Sequence, residues 1–388
     1  ASRVVAQSGA SVRVAVEPIK HTSLPEMQAA LQTATQLHAG CSVHAEDTGD
    51  HVLVGSSELY LDVVLHAIRA RLCGKRHPLR LTDPYVAFSE TVAAAPRGML
   101  RTATNEHGVS IAVVAAPASR EVTAAFDSGA MSMAMPRAAL ERRLEREFGW
   151  DLLEASGLAA CGPDPHHGPS FLIDDTLGDG GPAASSGVTP DVMSAIAAGF
   201  RAAVKRGPLC GEVVRGVKIY LVSVSLGGDD DGAAPVAVTR QVLNSVSTLA
   251  RQVVKAALLS AAPRLLEPHL AVDVITRPTH AKAVEEVLRR RRGGVAAHVR
   301  LAATQLCRLQ CVVPVVDSFG LDTELRTKVS EELLATSSLS HWSLVPGDPM
   351  DDSAVLLPLQ AASGTQLARD FMLKTRRRKG LPDAVAVV

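Results

Sequence analysis

Apolar side chains recur along this chain at helix and strand spacing, in an order that appears twice. Between residues 11 and 83 the pattern predicts strand, helix, strand, strand, helix, strand. Ser23, Pro25 and Glu26 announce the first helix, with a Ser-x-x-Glu capping box and a proline in the first turn. Leu24, Met27, Leu31, Ala34 and Leu37 then share one face. Gly40 closes that helix. Short runs at 42–46 and 51–54, joined by Asp47-Thr48-Gly49-Asp50, predict a hairpin. A second helix starts near Ser56 or Ser57, with Leu61, Leu65, Ile68 and Leu72 on its apolar face. Arg69 and Arg71 near its end complement the helix dipole.

The same order returns near the other end. Leu270, Val272 and Val274 alternate as a strand, and Ala281, Val284, Val287 and Leu288 form a helical stripe that ends at Gly293-Gly294. Strands at 295–301 and 306–316, a helix at 321–334 and a last strand at 339–345 follow. The chain thus carries two βαββαβ patterns that share spacing but not sequence. The middle, 85–262, is mixed. Thr189 and Pro190 open a helix whose face is Val192, Ile196, Phe200 and Val204, stopped by Gly207-Pro208. Another spans 241–260 through Val242, Val246, Leu249 and Val253. Residues 173–189 are loop-like, and the final 25 residues read as a short helix followed by a basic, extended tail.

Length narrows this further: 388 residues at ~100 to 200 per domain hold two to four domains, and the pattern suggests three. A composition that is 47% hydrophobic and 21% charged excludes wholesale disorder. Forty Lys and Arg balance forty Asp and Glu, so no overall field draws the chain to nucleic acid or an anionic membrane, and any RNA contact must be local. The N-terminal residues lack a signal peptide pattern and no run of ~18 apolar residues appears, so the sequence reads as soluble and intracellular. Six scattered cysteines (Cys41, Cys73, Cys161, Cys210, Cys307, Cys311) offer neither zinc nor disulfide spacing. Cys307 and Cys311 should share a strand face with Leu309 and Val313 and pack in the core.

No catalytic constellation stands out. The chain has no phosphate-loop motif, its Gly74-Lys75-Arg76 falling instead at a helix end, and no G-x-S-x-G, H-E-x-x-H or dinucleotide-binding turn. His166-His167 lack further metal ligands at useful spacing, and Asp229, Asp230 and Asp231 lack the rest of a calcium loop. Catalytic, cofactor and metal residues are therefore all read as none. The candidate RNA-binding or partner-binding residues are two basic runs. Arg289, Arg290, Arg291 and Arg292 close a helix, where dipole complementarity also accounts for them. Lys374, Arg376, Arg377, Arg378 and Lys379 are read as lying beyond the last helix with no core to serve, which suits an anchoring or import element.

Several runs carry a resemblance. CGPDPHHGPSFLIDDTL at 161–177, AAGFRAAVKRGPLCGE at 197–212, APRLLEPHLAVDV at 262–274 and VGSSELYLDVVLHAIR at 54–69 resemble domains three to five of elongation factor two and its relatives. WDLLEAS at 150–156, VVDSFGLDTELRT at 315–327, HWSLVPGDPMDDSAVLLPL at 341–359 and ARDFMLKTRRRKGL at 368–381 look like the family's spliceosomal branch, the GTPase of the U5 small nuclear ribonucleoprotein. The resemblance implies an α+β chain with two ferredoxin-like sandwiches flanking a ribosomal-protein-S5-like α/β domain. Its boundaries would be 1–83, 84–262 and 263–357, with a C-terminal helix and basic tail at 358–388.

It also implies that GTP binds in a domain preceding residue 1, with no cofactor in this chain. The implied partners are a large spliceosomal scaffold protein, U5 RNA and other proteins of that particle, and indirectly the helicase that unwinds U4/U6 RNA. The implied location is the nucleus, with no membrane contact. The alternatives are a ribosomal translocation factor and, more remotely, a free-standing enzyme built from ferredoxin-like domains. Two departures from elongation factor two bear on function. The fourth-domain tip at 226–240 carries three aspartates and no histidine, and 328–338 reads as a helical run where the family has a glycine-containing turn.

Overall fold

A computed structural model describes residues 12–46, 49–71, 78–93, 101–104, 108–166, 168–176, 189–226, 239–301, 304–329, 333–352, 362 and 364–385. The chain forms two compact units: Ala1–Phe88 with Glu267–Ser343, and Ser89–Leu266 with Leu344–Val388.

The first unit contains both βαββαβ patterns. Strands Val12–Pro18, Ser42–Ala45, His51–Gly55 and Leu79–Leu81 pair antiparallel in the spatial order second, third, first, fourth. Val12, Val14 and Val16 point toward the helices Leu24–Leu37 and Glu58–Arg71, while Ala15, Val52 and Val54 pack on the opposite face of the sheet. In the second pattern, residues 269–276 of the strand Pro263–Thr276 pair with Cys307–Pro314, which in turn pairs with Gly294–Arg300. The strand Leu334–Leu344 completes the same order. Both are ferredoxin-like sandwiches, and their apolar faces merge into one buried cluster. Cys307, Leu309, Cys311 and Val313 all point inward, as their alternation predicts. All the cysteines among the described residues are free and buried.

Local details depart from the sequence reading in three places. Ser23 caps nothing with its side chain, because it ends a short 3-10 turn at His21–Ser23 rather than sitting in extended backbone before the helix. Of the helix expected over 321–334, Leu321–Val329 is helical and Leu334 already belongs to the strand Leu334–Leu344, so residues 334–338 of the expected helical run at 328–338 are strand. The helix Ala281–Arg290 is followed not by a glycine but by Arg292 in the left-handed region, φ 52°.

The second unit is built on a five-stranded sheet in the order Arg101–Thr104, Val109–Pro117, Val217–Leu226, Ser170–Asp174, Leu158–Gly162. Ser170–Asp174 and Val217–Leu226 are parallel, with the helix Pro190–Lys205 between them in sequence. Both faces of the sheet are buried. Val109, Ile111, Val113 and Ala115 face the helices Pro190–Lys205 and Arg240–Ser260. Val114, Ala116, Phe171, Ile173 and Tyr220 face the helices Arg120–Asp127, Arg137–Phe148 and Leu152–Gly157. A register shift between Leu221 and Ser223 reverses the parity of one strand, so Val224 rejoins Leu221 on the first face. A smaller set of pairings joins residues 263–266, Ser89–Val92 and Val213–Val214.

Candidate partner-binding surfaces and their internal partners

The two basic runs each divide into cations held inside the fold and cations at the surface. In the first, Arg289 and Arg290 project from the last turn of the helix Ala281–Arg290 and pair with Glu285 and Glu286, one turn earlier. Arg291 turns inward. Its Nε donates to Glu324 Oε2 at 2.7 Å, and its Nη1 donates to the carbonyls of Asp317 and Phe319 at 2.7 and 2.6 Å. Arg292 binds Glu267 through two parallel bonds of 3.0 and 2.9 Å and Asp317 through Nε at 2.6 Å. Glu267 is 2% exposed, so this fork neutralises a carboxylate that water does not reach. Burial opposes the charge on Arg292, but the Glu267 and Asp317 carboxylates more than offset it and raise its pKa above the usual arginine value. Its left-handed backbone costs ~1 to 2 kcal/mol for a residue with a Cβ, and the ion pairs hold it there.

The second run corrects a sequence expectation. Lys374, Arg376, Arg377 and Arg378 do not lie beyond the last helix; they lie in the helix Leu367–Arg378, with Lys379 at its cap. Arg376 is buried, and its guanidinium donates to the carbonyls of Pro382 (2.6 Å), Ala384 (2.7 Å) and Leu209. Lys379 Nζ bonds Gly211 O at 2.8 Å and Glu212 Oε1 at 2.9 Å, and Glu212 is itself buried. Arg376 and Lys379 therefore do serve a core, because the distant loop 207–212 brings acceptors to both and the chain after the helix turns back to present two more carbonyls to Arg376. Lys374 and Arg377 are exposed and pair with Asp370 and Asp383, and Arg378 is exposed.

These two cations close one side of the loop 207–212, and Glu90 closes the other. The buried Glu90 carboxylate accepts the backbone N–H groups of Leu209 (2.8 Å), Cys210 (2.9 Å) and Glu212 (3.1 Å). Gly207 is required here, since a Cβ would overlap that carboxylate. Burial raises the Glu90 pKa above the ordinary carboxylate value, and the three amide donors only partly oppose this. Burial also pushes the Cys210 thiol well up, so it stays protonated and unreactive. Neither Glu90 nor Glu267 was singled out from the sequence. Each stands within an otherwise unremarkable strand, and their partners lie far along the chain.

The remaining candidates are plainly placed. His166 is an exposed loop residue whose N–H bonds Asp164. His167, Cys73, Gly74-Lys75-Arg76, Asp229, Asp230 and Asp231 lie outside the described residues. Among the described residues no cluster of three metal-ligating side chains occurs, and no helix is long and apolar enough to cross a membrane.

Two ferredoxin-like sandwiches together with this α/β unit are the architecture of the C-terminal domains of translocase GTPases. Residues 130–262 match elongation factor G, domain IV, and residues 264–353 match the elongation factor G C-terminus. Over 97% of its length the chain is 33% identical to the 110 kDa U5 small nuclear ribonucleoprotein component CLO of Arabidopsis thaliana, covering 37% of that protein. It is 31% identical over 99% of its length to the pre-mRNA-splicing factor cwf10 of Schizosaccharomyces pombe, covering 38%. With the pre-mRNA-splicing factor SNU114 of Saccharomyces cerevisiae it shares 29% identity over 95% of its length, covering 37%. The chain belongs to the elongation-factor-G-like family, in the branch formed by these U5 components and splicing factors. It spans less than two-fifths of the length of these curated relatives.

Proposed function

We propose that this chain works as the C-terminal part of a U5 small nuclear ribonucleoprotein component in pre-mRNA splicing, in the nucleus. The observation that carries this reading is the match to U5 components along 97% of the chain, without restriction to the domains shared with translation factors. Its role is that of a scaffold and switch. These domains respond to the nucleotide state of a GTP-binding domain elsewhere in the full protein, hold the large spliceosomal scaffold protein, and so govern U4/U6 unwinding indirectly. The chain itself performs no chemistry in this reading and holds no nucleotide. The surface cations Lys374, Arg377, Arg378, Arg289 and Arg290 serve contact with the particle, while Arg376, Lys379, Arg291 and Arg292 serve the fold.

The test is co-purification of the tagged full-length protein. Recovery of U5 RNA and splicing proteins is expected. Sedimentation mainly with polysomes would assign the chain to translation instead. A second measurement addresses nucleotide binding: calorimetric titration of this chain with GTP or GDP should show no specific micromolar binding, and such binding would overturn the non-catalytic part of the reading.

A further inference from the structure

The helices Pro190–Lys205 and Arg240–Ser260 differ in charge from the other charged helices of this chain. Elsewhere cations sit one turn from a carboxylate: Arg137 with Glu141, Arg143 with Glu147, Arg289 with Glu285, Arg326 with Asp322, Lys374 with Asp370. Such pairs leave little net field at the surface. By contrast, apart from Asp191 in the first turn of Pro190–Lys205, residues 190–207 and 239–262 contain no Asp or Glu. They carry Arg201, Lys205, Arg206, Arg240, Arg251 and Lys255. In a chain of zero net charge, this is a strong local asymmetry.

The fold gathers part of this charge in one place. The two helices follow parallel strands and lie side by side, in closest approach at Gly199, whose Cβ would overlap the backbone at Ser247. Their inward faces, including Ile196, Phe200, Val204, Val246, Leu249 and Val253, are buried against the sheet. Opposite that stripe, Lys205 and Arg251 are exposed, and Lys255 follows Arg251 by one helical turn. Burial and the charge of Arg251 lower the Lys255 pKa, the buried Glu90 carboxylate offsets this in part, and the charge of Arg206 lowers it further, so cations of the two helices are near enough to repel one another. Clustering like charges this way disfavours the free surface, and a bound polyanion relieves it.

We propose that the outer face of this helix pair binds the phosphate backbone of duplex RNA, with Lys205, Arg251 and Lys255 as the phosphate contacts. The side chains between them favour that occupant over an acidic protein segment. Exposed positions are small or amide and hydroxyl residues, such as Ser194, Ala198, Ala202, Asn244, Thr248 and Gln252. These suit phosphate oxygens. No aromatic occurs among the outward positions, so the face lacks both the anchors of a protein interface and the platforms on which unpaired bases stack. The contact is therefore to backbone shape and charge, without sequence preference. It lies on the flank of the unit and does not involve residues 227–238. It also does not depend on which particle the protein joins, so it and the reading above fail separately.

The test is fluorescence anisotropy of a labelled RNA duplex of arbitrary sequence, titrated with the purified chain over a salt series. Replacing Lys205, Arg251 and Lys255 together by Gln should weaken binding at least tenfold at low salt. At ~0.9 per lost phosphate contact, the same variant should flatten the slope of log K against log salt by ~2 to 3. Arg289→Gln with Arg290→Gln should change neither. Should the triple variant melt earlier by circular dichroism, Arg251→Gln alone, at an exposed position, should still flatten the slope by ~1. Equal binding by wild type and variant, or no duplex binding by the wild type at low salt, overturns the proposal. Poly-glutamate bound more tightly than duplex, and lost in the variant, would assign the face to an acidic protein segment and also overturn it.

Discussion

Two basic runs that look alike in sequence, Arg289–Arg292 and Arg376–Lys379, have been sorted by the fold on the same principle but in a different order. In the first, two surface arginines precede two internal ones, because the chain leaves the helix at Arg291 and folds back over Asp317. In the second, internal cations bracket two surface ones, because Arg376 faces inward from the helix and Lys379 caps it. The first clasp neutralises a buried carboxylate, Glu267. The second mostly satisfies backbone carbonyls, those of Leu209, Gly211, Pro382 and Ala384. A run of arginines therefore does not specify a nucleic-acid contact. What decides is whether a distant segment brings acceptors to it.

The largest expected effect lies in the second clasp. Arg376→Ala strands three carbonyl acceptors, at least one of them buried, and each bond to a charged donor is worth ~1.5 to 3 kcal/mol where buried and less where water can replace it. A loss of ~3 to 4 kcal/mol is expected for the second unit, read from urea unfolding followed by Trp150 fluorescence in a Trp342→Phe background. A change below ~0.5 kcal/mol would mean that these bonds are replaced by water at no cost. Arg377→Ala in the same helix should leave the unfolding midpoint essentially unchanged, since Arg377 and its Asp383 partner are both exposed.

In the first clasp two opposing terms are separable. Arg292→Ala leaves Glu267 without its fork, and because Arg292 is partly reached by water the cost should be ~2 kcal/mol, less than for a fully buried pair. Arg292→Gly loses the same fork but relieves the left-handed backbone at φ 52°, and should be ~0.5 to 1 kcal/mol more stable than the Ala variant. Unfolding followed by Trp342 fluorescence ranks the two. Alanine more stable than glycine would show that strain at Arg292 is not part of the balance.

Glu90 gives the comparison a pH dependence. Its pKa is raised in the fold, so between the ordinary carboxylate range and that raised value the folded chain keeps a proton that the unfolded chain has released. Stability from this group is therefore present at low pH and declines as pH rises through that window. Glu90→Gln cannot ionise, so the wild type should lose ground relative to it as pH increases, with Trp150 as the probe. A wild type that gains ground instead would mean that the three amide donors outweigh burial. Glu267 offers the contrast, with a full guanidinium fork in place of amides.

How far the sequence could disclose all this follows from where each signal lies. The helices Leu24–Leu37, Pro190–Lys205 and Arg240–Ser260 were legible because each buries one stripe and exposes the other. The strand Val109–Pro117 was not. It is buried on both faces, so its apolar run lacks the alternation that marks a strand. The helix Arg137–Phe148 was missed because only Leu140 and Leu144 are buried and charge dominates the rest. The clasps could not be read at all. Arg376 and Leu209 are 167 positions apart and Glu90 and Cys210 are 120 apart, and no local periodicity encodes such pairs.

The most salt-dependent effect is expected at Arg289 and Arg290. Both are well exposed, and each bonds a glutamate one turn earlier, the arrangement worth ~0.3 to 0.5 kcal/mol in an exposed helix. They also sit in the last turn, where a positive charge complements the helix dipole by a further ~0.3 to 1 kcal/mol at low ionic strength. Both terms are screened by salt. Replacing both by Ala should therefore cost the first unit roughly 1 to 3 kcal/mol at low salt and far less near 1 M salt. The Arg292→Ala deficit should persist across the same series, because its Glu267 partner is buried and only weakly screened. If the two deficits shrink in parallel with salt, the Glu267 fork is as solvated as a surface pair, and the division of this arginine run into surface and internal halves fails at that point.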